Sequence, residues 1–160
     1  MTRRQLTLFV PPDTSAAVEA VRQVTDPVQH GIIAAHVTLA REDEIAGWTP
    51  HDLAARLHGS AGPLSLVFGP PERFEGHGLW RPVIAGADGY HALRRHLLGS
   101  PREATPHLTL AHPRNPRAAG NTDTLVAGRQ VPLRVTFRRA DWIEQTDGGP
   151  WRVVTSAPLG

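Results

Sequence analysis

One short run of residues occurs twice in this chain, as His36-Val37-Thr38-Leu39-Ala40 and as His107-Leu108-Thr109-Leu110-Ala111, the second preceded by Pro106 and followed by His112. Imidazole is the side chain whose ordinary pKa, near 6.5, lets it take or give a proton around neutrality. Two imidazoles facing one another suit a single concerted job. One, neutral, accepts the proton of an attacking hydroxyl or water, while the other, protonated, gives a proton to the leaving oxygen; positioned transfer of this kind contributes roughly 10² to 10⁴ in rate. The threonine hydroxyls can hydrogen-bond the oxygens on which negative charge concentrates in the transition state. The set suits in-line phosphoryl transfer and requires no metal.

Those side chains need a rigid element to aim them, and both runs read as strands. Apolar and polar residues alternate with the two-residue period of a half-buried strand. Residues two apart then project from one face, roughly 6.6 Å apart. His36 and Thr38 share a face, as do His107 and Thr109, while Val37, Leu39, Leu108 and Leu110 point into the core. A single histidine or threonine on a strand is ordinarily structural or simply exposed. The coincidence of both types on one face in two copies gives the pair its meaning.

Composition removes several other chemistries. At 160 residues with no cysteine, the chain is expected to form a single domain, 1–160, with no disulfide, thiolate metal site or cysteine nucleophile. All 17 basic residues are arginine, which excludes lysine-based Schiff-base chemistry, a covalent lysyl-nucleotide and a P-loop lysine. Arginine is well suited to holding phosphate through paired donors. No apolar run is long enough to span a membrane, and the N-terminus lacks a signal-like segment, so a cytoplasmic monomer is expected. The net charge of +2 points to contacts with a nucleic-acid terminus or a small nucleotide and not with a long duplex.

Along the chain, Arg3 to Val10 reads as a first strand ended by Pro11-Pro12. Asp13 or Thr14 is the expected cap of a helix carrying Ala17, Val18, Val21 and Val24, with its exit at Pro27 and Gly31. Ile32 to Arg41 is the strand of the first motif. Thr49, Pro50 and Asp52 form a capping arrangement for a short helix to Gly59. Strands follow at Pro63 to Phe68 and Leu79 to Ala85. Tyr90 to Leu98 reads as a helix with Leu93, Leu97 and Leu98 inward and Arg94 and Arg95 outward, stopped by Gly99. After the second motif strand come the loop Pro113 to Arg117, a short helix at Thr122 to Gly128, and a closing hairpin of Leu133 to Ile143 with Trp151 to Thr155 around Asp147-Gly148-Gly149. Each motif strand lies between helices, so the order suggests two similar halves packed about an approximate two-fold with their polar faces across a cleft.

The paired His-x-Thr-x strands in such an order resemble the 2H phosphoesterase superfamily, specifically the branch called 2′-5′ RNA ligase or RNA 2′,3′-cyclic phosphodiesterase. Supporting texture extends over most of the chain: the Leu8-Phe9-Val10 strand end, the Pro50-His51-Asp52-Leu53 helix start, Leu79-Trp80, Pro106-His107-Leu108-Thr109-Leu110-Ala111, and the terminal Trp151 strand. The resemblance implies an α+β fold of two duplicated lobes, with antiparallel sheets lining a central cleft and helices outside. It implies His36 and His107 as the catalytic pair and Thr38 and Thr109 as phosphate-holding hydroxyls. The implied activity is hydrolysis of RNA or nucleoside 2′,3′-cyclic phosphates to 2′-phosphates, with ATP-independent 2′-5′ joining as a related reverse transesterification. RNA termini or small cyclic nucleotides are the implied partners, and no cofactor is implied. The same cleft could instead serve a protein that binds RNA ends or nucleotides with little turnover.

One position departs from the resemblance. Where relatives tend to carry an arginine five residues after the second histidine, this chain has His112, and Arg114 or Arg41 could supply the charge. His112 also raises a metal site with His107 and His36. Positions five apart on one strand face opposite ways, however, and no carboxylate lies close to the second motif, so no metal is assigned. Base stacking needs an aromatic in the cleft, with Phe9 and Trp80 as candidates beside Trp142 and Trp151.

Overall fold

The computed structural model describes residues Met1–Gly160. The first strand, β1 (Thr2–Phe9), puts Leu6 and Leu8 in the core and ends at the proline pair. Helix α1 (Pro12–Thr25) starts directly on Pro12, with extended Pro11 in the cap position and no side-chain cap. Proline's fixed φ and missing N–H suit a first helical position, so the helix begins one residue before the expected caps and Asp13 falls within its first turn. Helix α1 ends at Thr25, just ahead of the expected exit at Pro27, but the chain at once starts a second helix, α2 (Pro27–Ile32), because the Asp26 carboxylate accepts the Gln29 N–H at 2.9 Å. The first motif strand, β2 (His36–Arg41), is therefore shorter than expected and opens on the histidine itself.

Helix α3 (Asp52–Leu57) is preceded by the expected capping contact, the Thr49 N–H and hydroxyl both donating to Asp52 at 2.6 and 3.0 Å, although regular helix begins only at Asp52. Next come β3 (Leu64–Phe68), a short unanticipated β4 (Glu72–Phe74), β5 (Gly78–Ala85), α4 (Ala87–Leu98), the second motif strand β6 (His107–Ala111) and α5 (Asp123–Ala127). The segment expected as one strand from Leu133 to Ile143 divides at Arg138 into β7 (Leu133–Phe137) and β8 (Arg139–Thr146). Phe137 and Ala140 are both buried, and an unbroken strand would send residues three apart to opposite faces. The break lets the chain cross from one sheet to the other. The final turn behaves as read: Asp147 and Gly148 take positive φ of 50° and 75° and join β8 to β9 (Arg152–Pro158).

Two antiparallel sheets result. One runs β2-β1-β8-β9. In the other, β5 pairs with β6 on one flank and with β4 and then β3 on the other, and β3 pairs with β7. Each motif strand is thus the outer strand of its own sheet, antiparallel to one neighbour. Both carry the same alternation, half-buried at the His and Thr and fully buried at the apolar positions between them. Val37, Leu39, Leu108 and Leu110 join a single cluster of 28 buried side chains, and truncating any of the three leucines to alanine costs about 2–5 kcal/mol.

An outer strand leaves a row of backbone groups without a ladder partner. Here each free edge is closed by a helix from the other half. Along β2, the Tyr90 hydroxyl of α4 donates to the Thr38 carbonyl at 2.8 Å and the Arg94 guanidinium donates to the Leu39 carbonyl. Along β6, the Thr25 hydroxyl of α1 donates to the Leu110 carbonyl at 2.9 Å, and Asp26 accepts the His112 N–H at 2.8 Å. This overturns the outward placement of Arg94. Its guanidinium is buried and also donates to Glu44 at 2.5 Å and to the Arg102 carbonyl at 2.9 Å. Arg95 is exposed, as expected.

Candidate active site

His36, Thr38, His107 and Thr109 all line one cleft of about 1130 Å³ between the two sheets. The two imidazoles are held in the same way. The Nδ1 of His36 lies 2.8 Å from the Ala34 carbonyl, and the Nδ1 of His107 lies 2.8 Å from the Thr105 carbonyl, in each case two residues back along the chain. A carbonyl only accepts, so Nδ1 carries the proton in both rings. In the neutral state each Nε2 therefore keeps its lone pair, and protonation occurs at Nε2 without disturbing the tether.

The surroundings favour the neutral form of both. Burial drives His36 down to about 4; the Ala34 carbonyl opposes this, while the charges of Arg22 and His107 reinforce it. Burial also lowers His107, with the Arg41 charge acting in the same sense and the Thr105 carbonyl opposing it. Two imidazoles that feel one another across a cleft need an anion between them before either is readily protonated. A phosphate group would be one such anion.

Aromatic rings fix the imidazoles laterally. Phe9 is the register partner of His36 and meets it edge-on at 6.1 Å, but it does not line the cleft. Trp80, on β5, lies between Phe74 of β4 and His107 of β6, with ring centroids 4.9 and 4.8 Å away. Trp80 does line the cleft, and its flanks are already occupied, so it buttresses His107. Trp142 is fully buried. Trp151 lines the cleft beside Arg3, whose guanidinium carbon is 5.5 Å from the ring centroid.

Free charge in the cleft is net positive, three unpaired arginines against the carboxylates of Glu42 and Glu103. Arg4, Arg22, Arg94 and Arg102 are each paired with a carboxylate, of Glu144, Glu19, Glu44 and Asp43 respectively. Arg3, Arg41 and Arg114 line the cleft without such a partner and are available to an anion. His112 also lines it, contrary to the opposite-face expectation. Strand β6 ends at Ala111, so the strict alternation no longer applies to His112 in the turn that follows. Its Nδ1 accepts the Arg114 N–H at 3.2 Å, and burial together with the Arg114 charge lowers its pKa. Asp26 organises this turn, accepting the Asn115 side-chain amide at 3.0 Å in addition to the His112 N–H. No three His, Asp or Glu side chains converge as metal ligands. No helix is long and apolar enough to cross a membrane.

Gln5, Thr7, Thr25 and Asp26 carry no role in the sequence, and Tyr90 and Arg94 read there only as helix positions. The signal available for Gln5 and Thr7 was the alternation of β1, which places them on the face opposite Leu6 and Leu8. For Asp26 it was the Asp-Pro pair, a cap followed by a first helical residue.

Two outer His-x-Thr strands, each on its own antiparallel sheet and facing one cleft, define a two-lobed fold of the 2H phosphoesterase kind. The family model of the 2′-5′ RNA ligase superfamily matches residues 10–149, and the chain belongs to that superfamily. Among solved structures it is similar to E. coli LigT complexed with ATP, at 16% identity and a TM-score of 0.64, covering 99% of this chain and 97% of that one. A structure described as a phosphoesterase gives 13% identity, a TM-score of 0.65 and 99% coverage of both chains. E. coli LigT complexed with 3′-AMP gives 16% identity and a TM-score of 0.60, with 99% of this chain and 98% of that one covered. No curated protein matches the sequence.

Proposed function

We propose that this protein is a metal-independent phosphodiesterase that opens 2′,3′-cyclic phosphates at RNA ends or on small nucleotides to give 2′-phosphates, with 2′-5′ joining of RNA ends as the reverse sense of a related transesterification. The observation that carries the reading is the pair of imidazoles tethered alike at Nδ1, each leaving Nε2 toward one cleft. The cyclic phosphate binds between them, its non-bridging oxygens toward the Thr38 and Thr109 hydroxyls and its charge near Arg41 and Arg114. One neutral Nε2 takes a proton from water as that water attacks phosphorus. The P–O3′ bond breaks on the far side, and the other imidazole, protonated at Nε2, delivers its proton to the departing O3′. The products are a 2′-phosphate and a free 3′-hydroxyl, and the two histidines have exchanged protonation states. That E. coli LigT, similar in fold, forms complexes with ATP and with 3′-AMP supports a small nucleotide as the ligand.

The test is turnover of a nucleoside 2′,3′-cyclic phosphate by purified protein in excess chelator, with the phosphate isomer of the product identified. His36→Ala and His107→Ala should each reduce turnover by at least 10², with little change in unfolding midpoint. Full activity in either variant rules out the two-histidine mechanism. Tight binding of the 2′-phosphate without turnover by the wild type would make the protein a binder of nucleotide ends.

A further inference from the structure

We infer that Gln5 is a positioning residue: with Thr7 it forms a hydrogen-bond relay that turns the Thr38 hydroxyl proton into the cleft, making Thr38 a pre-set donor to a phosphate oxygen. This rests on the phosphodiesterase reading for the identity of the acceptor, and on hydrogen-bond geometry alone for the relay.

The relay begins at a buried point. Thr7 is completely buried on β1, and its hydroxyl lies 3.2 Å from the Val37 carbonyl of the neighbouring strand. A carbonyl cannot donate, so Thr7 spends its one hydroxyl proton there. Any further partner of Thr7 Oγ1 must then be a donor. That partner is the Gln5 side-chain amide, 3.3 Å away, which must present Nε2 and not Oε1. The orientation of the amide is thereby settled by Thr7. The same Nε2 lies 3.2 Å from Thr38 Oγ1. Its two protons serve the two threonines, and Thr38 is the acceptor in its own contact. The Thr38 proton is left with no protein acceptor, on a side chain that lines the cleft.

A free threonine hydroxyl samples rotamers and can turn its lone pairs toward an anion, which repels it. An accepted bond from Gln5 occupies one lone pair and biases the proton outward before the substrate arrives, so no reorientation is needed in the reaction. The device exists on one side only. In the second lobe the register partner of Thr109 is Trp80, and Thr109 has no counterpart of the Gln5 contact. The two threonines of the repeated motif are therefore unequal: Thr38 is oriented and Thr109 is a free rotor.

The experiment is a double-mutant cycle. Gln5→Met keeps the length of the side chain without its donors and should lower kcat/KM for a nucleoside 2′,3′-cyclic phosphate about tenfold, the effect of losing one hydrogen bond. Thr38→Val should cost about a hundredfold. The Gln5→Met/Thr38→Val protein should be no worse than Thr38→Val, because Gln5 acts only through that hydroxyl. Gln5→Glu, of the same shape, presents acceptors alone and captures the Thr38 proton, so it should lose more than Gln5→Met. In the free protein the Gln5 side-chain amide signal should shift in both Thr7→Val and Thr38→Val. An undiminished Gln5→Met penalty in the Thr38→Val background, wild-type activity in Gln5→Glu, or an amide signal indifferent to both threonines would each overturn the relay. If the wild type turns over no cyclic phosphate, the phosphodiesterase reading fails. The cycle is then run on the Kd for adenosine 2′-monophosphate, where non-additivity upholds the relay and additivity, or absence of binding, overturns it.

Discussion

Arg94→Met would remove a guanidinium that closes the free edge of the first motif strand from the far half of the molecule. Arg94 and Glu44 are 3% and 8% exposed and 2.5 Å apart, so neither charge is well solvated. Arg94 also donates to the Leu39 and Arg102 carbonyls. Breaking a buried pair by deleting one partner costs about 3–5 kcal/mol, most of it from the charge left behind. That is a large share of the roughly 5–15 kcal/mol that holds a domain folded. Urea unfolding at neutral pH measures the loss, with an unchanged m-value confirming that folded and unfolded states remain comparable. The double variant Glu44→Gln/Arg94→Met removes the stranded charge and should recover at least half of the loss. The pH dependence has a definite sign. In the wild type the Arg94 bond, with the Arg41 N–H, overcomes burial and holds Glu44 below the usual carboxylate range; its contribution is present above the unfolded pKa and is lost as pH falls through the folded one. Without Arg94, burial raises the Glu44 pKa, so the variant loses less on acidification and the gap to wild type narrows toward pH 4. A loss below about 1 kcal/mol, or a double variant no better than Arg94→Met, would refute the account of Arg94 as a paired, buried strut.

With both imidazoles lowered in the free protein, the bell-shaped profile of kcat/KM should lie below neutrality: an acid limb near 4 from His36 and an alkaline limb below 6.5 from His107. The kcat profile should extend to higher pH, because a bound anion raises whichever imidazole must be protonated; an alkaline kcat/KM limb above 7 contradicts this. For stability, the unfolded His36 takes up its proton first, so the protein should weaken as pH falls from 6.5 to about 4, and His36→Gln should flatten that limb. Gly86→Ala should cost more than about 2 kcal/mol, since φ is 90° and the new Cβ would lie 2.2 Å from the Ser65 carbonyl oxygen. Gly47→Ala, with φ 82° and open space around it, should cost about 1 kcal/mol; equal thermal shifts in the two would refute the close-approach argument.

The parts of the molecule legible in the sequence are those set by short-range regularity. A two-residue period puts His36 and Thr38 opposite Val37 and Leu39 in any extended chain, and the repeat at His107 marks the same arrangement. Proline pairs and Asp147-Gly148-Gly149 end strands through local dihedral constraints. The misplacements fall where a distant partner decides. Arg94 looks like half of a solvated arginine pair until α4 is laid along β2, whose unpaired Leu39 carbonyl receives its guanidinium. The stretch from Leu133 to Ile143 looks like one strand, and only the requirement that Phe137 and Ala140 both be buried, on two different sheets, divides it. His112 looked excluded from the cleft by strand alternation that stops one residue before it.

The sequence by itself determined which four side chains could carry proton transfer and phosphate contact, and that each pair lies on one face of a strand, because side-chain direction in a strand follows from the backbone repeat. Only the tertiary structure decided that both faces look into one cleft, that each Nδ1 is tied to a backbone carbonyl so that Nε2 is the ring nitrogen left free, and that Thr38 accepts from Gln5 while Thr109 has no such partner. Those outcomes depend on how two sheets pack and on which donors and acceptors are left unpaired when they do, and no spacing along a single chain encodes them.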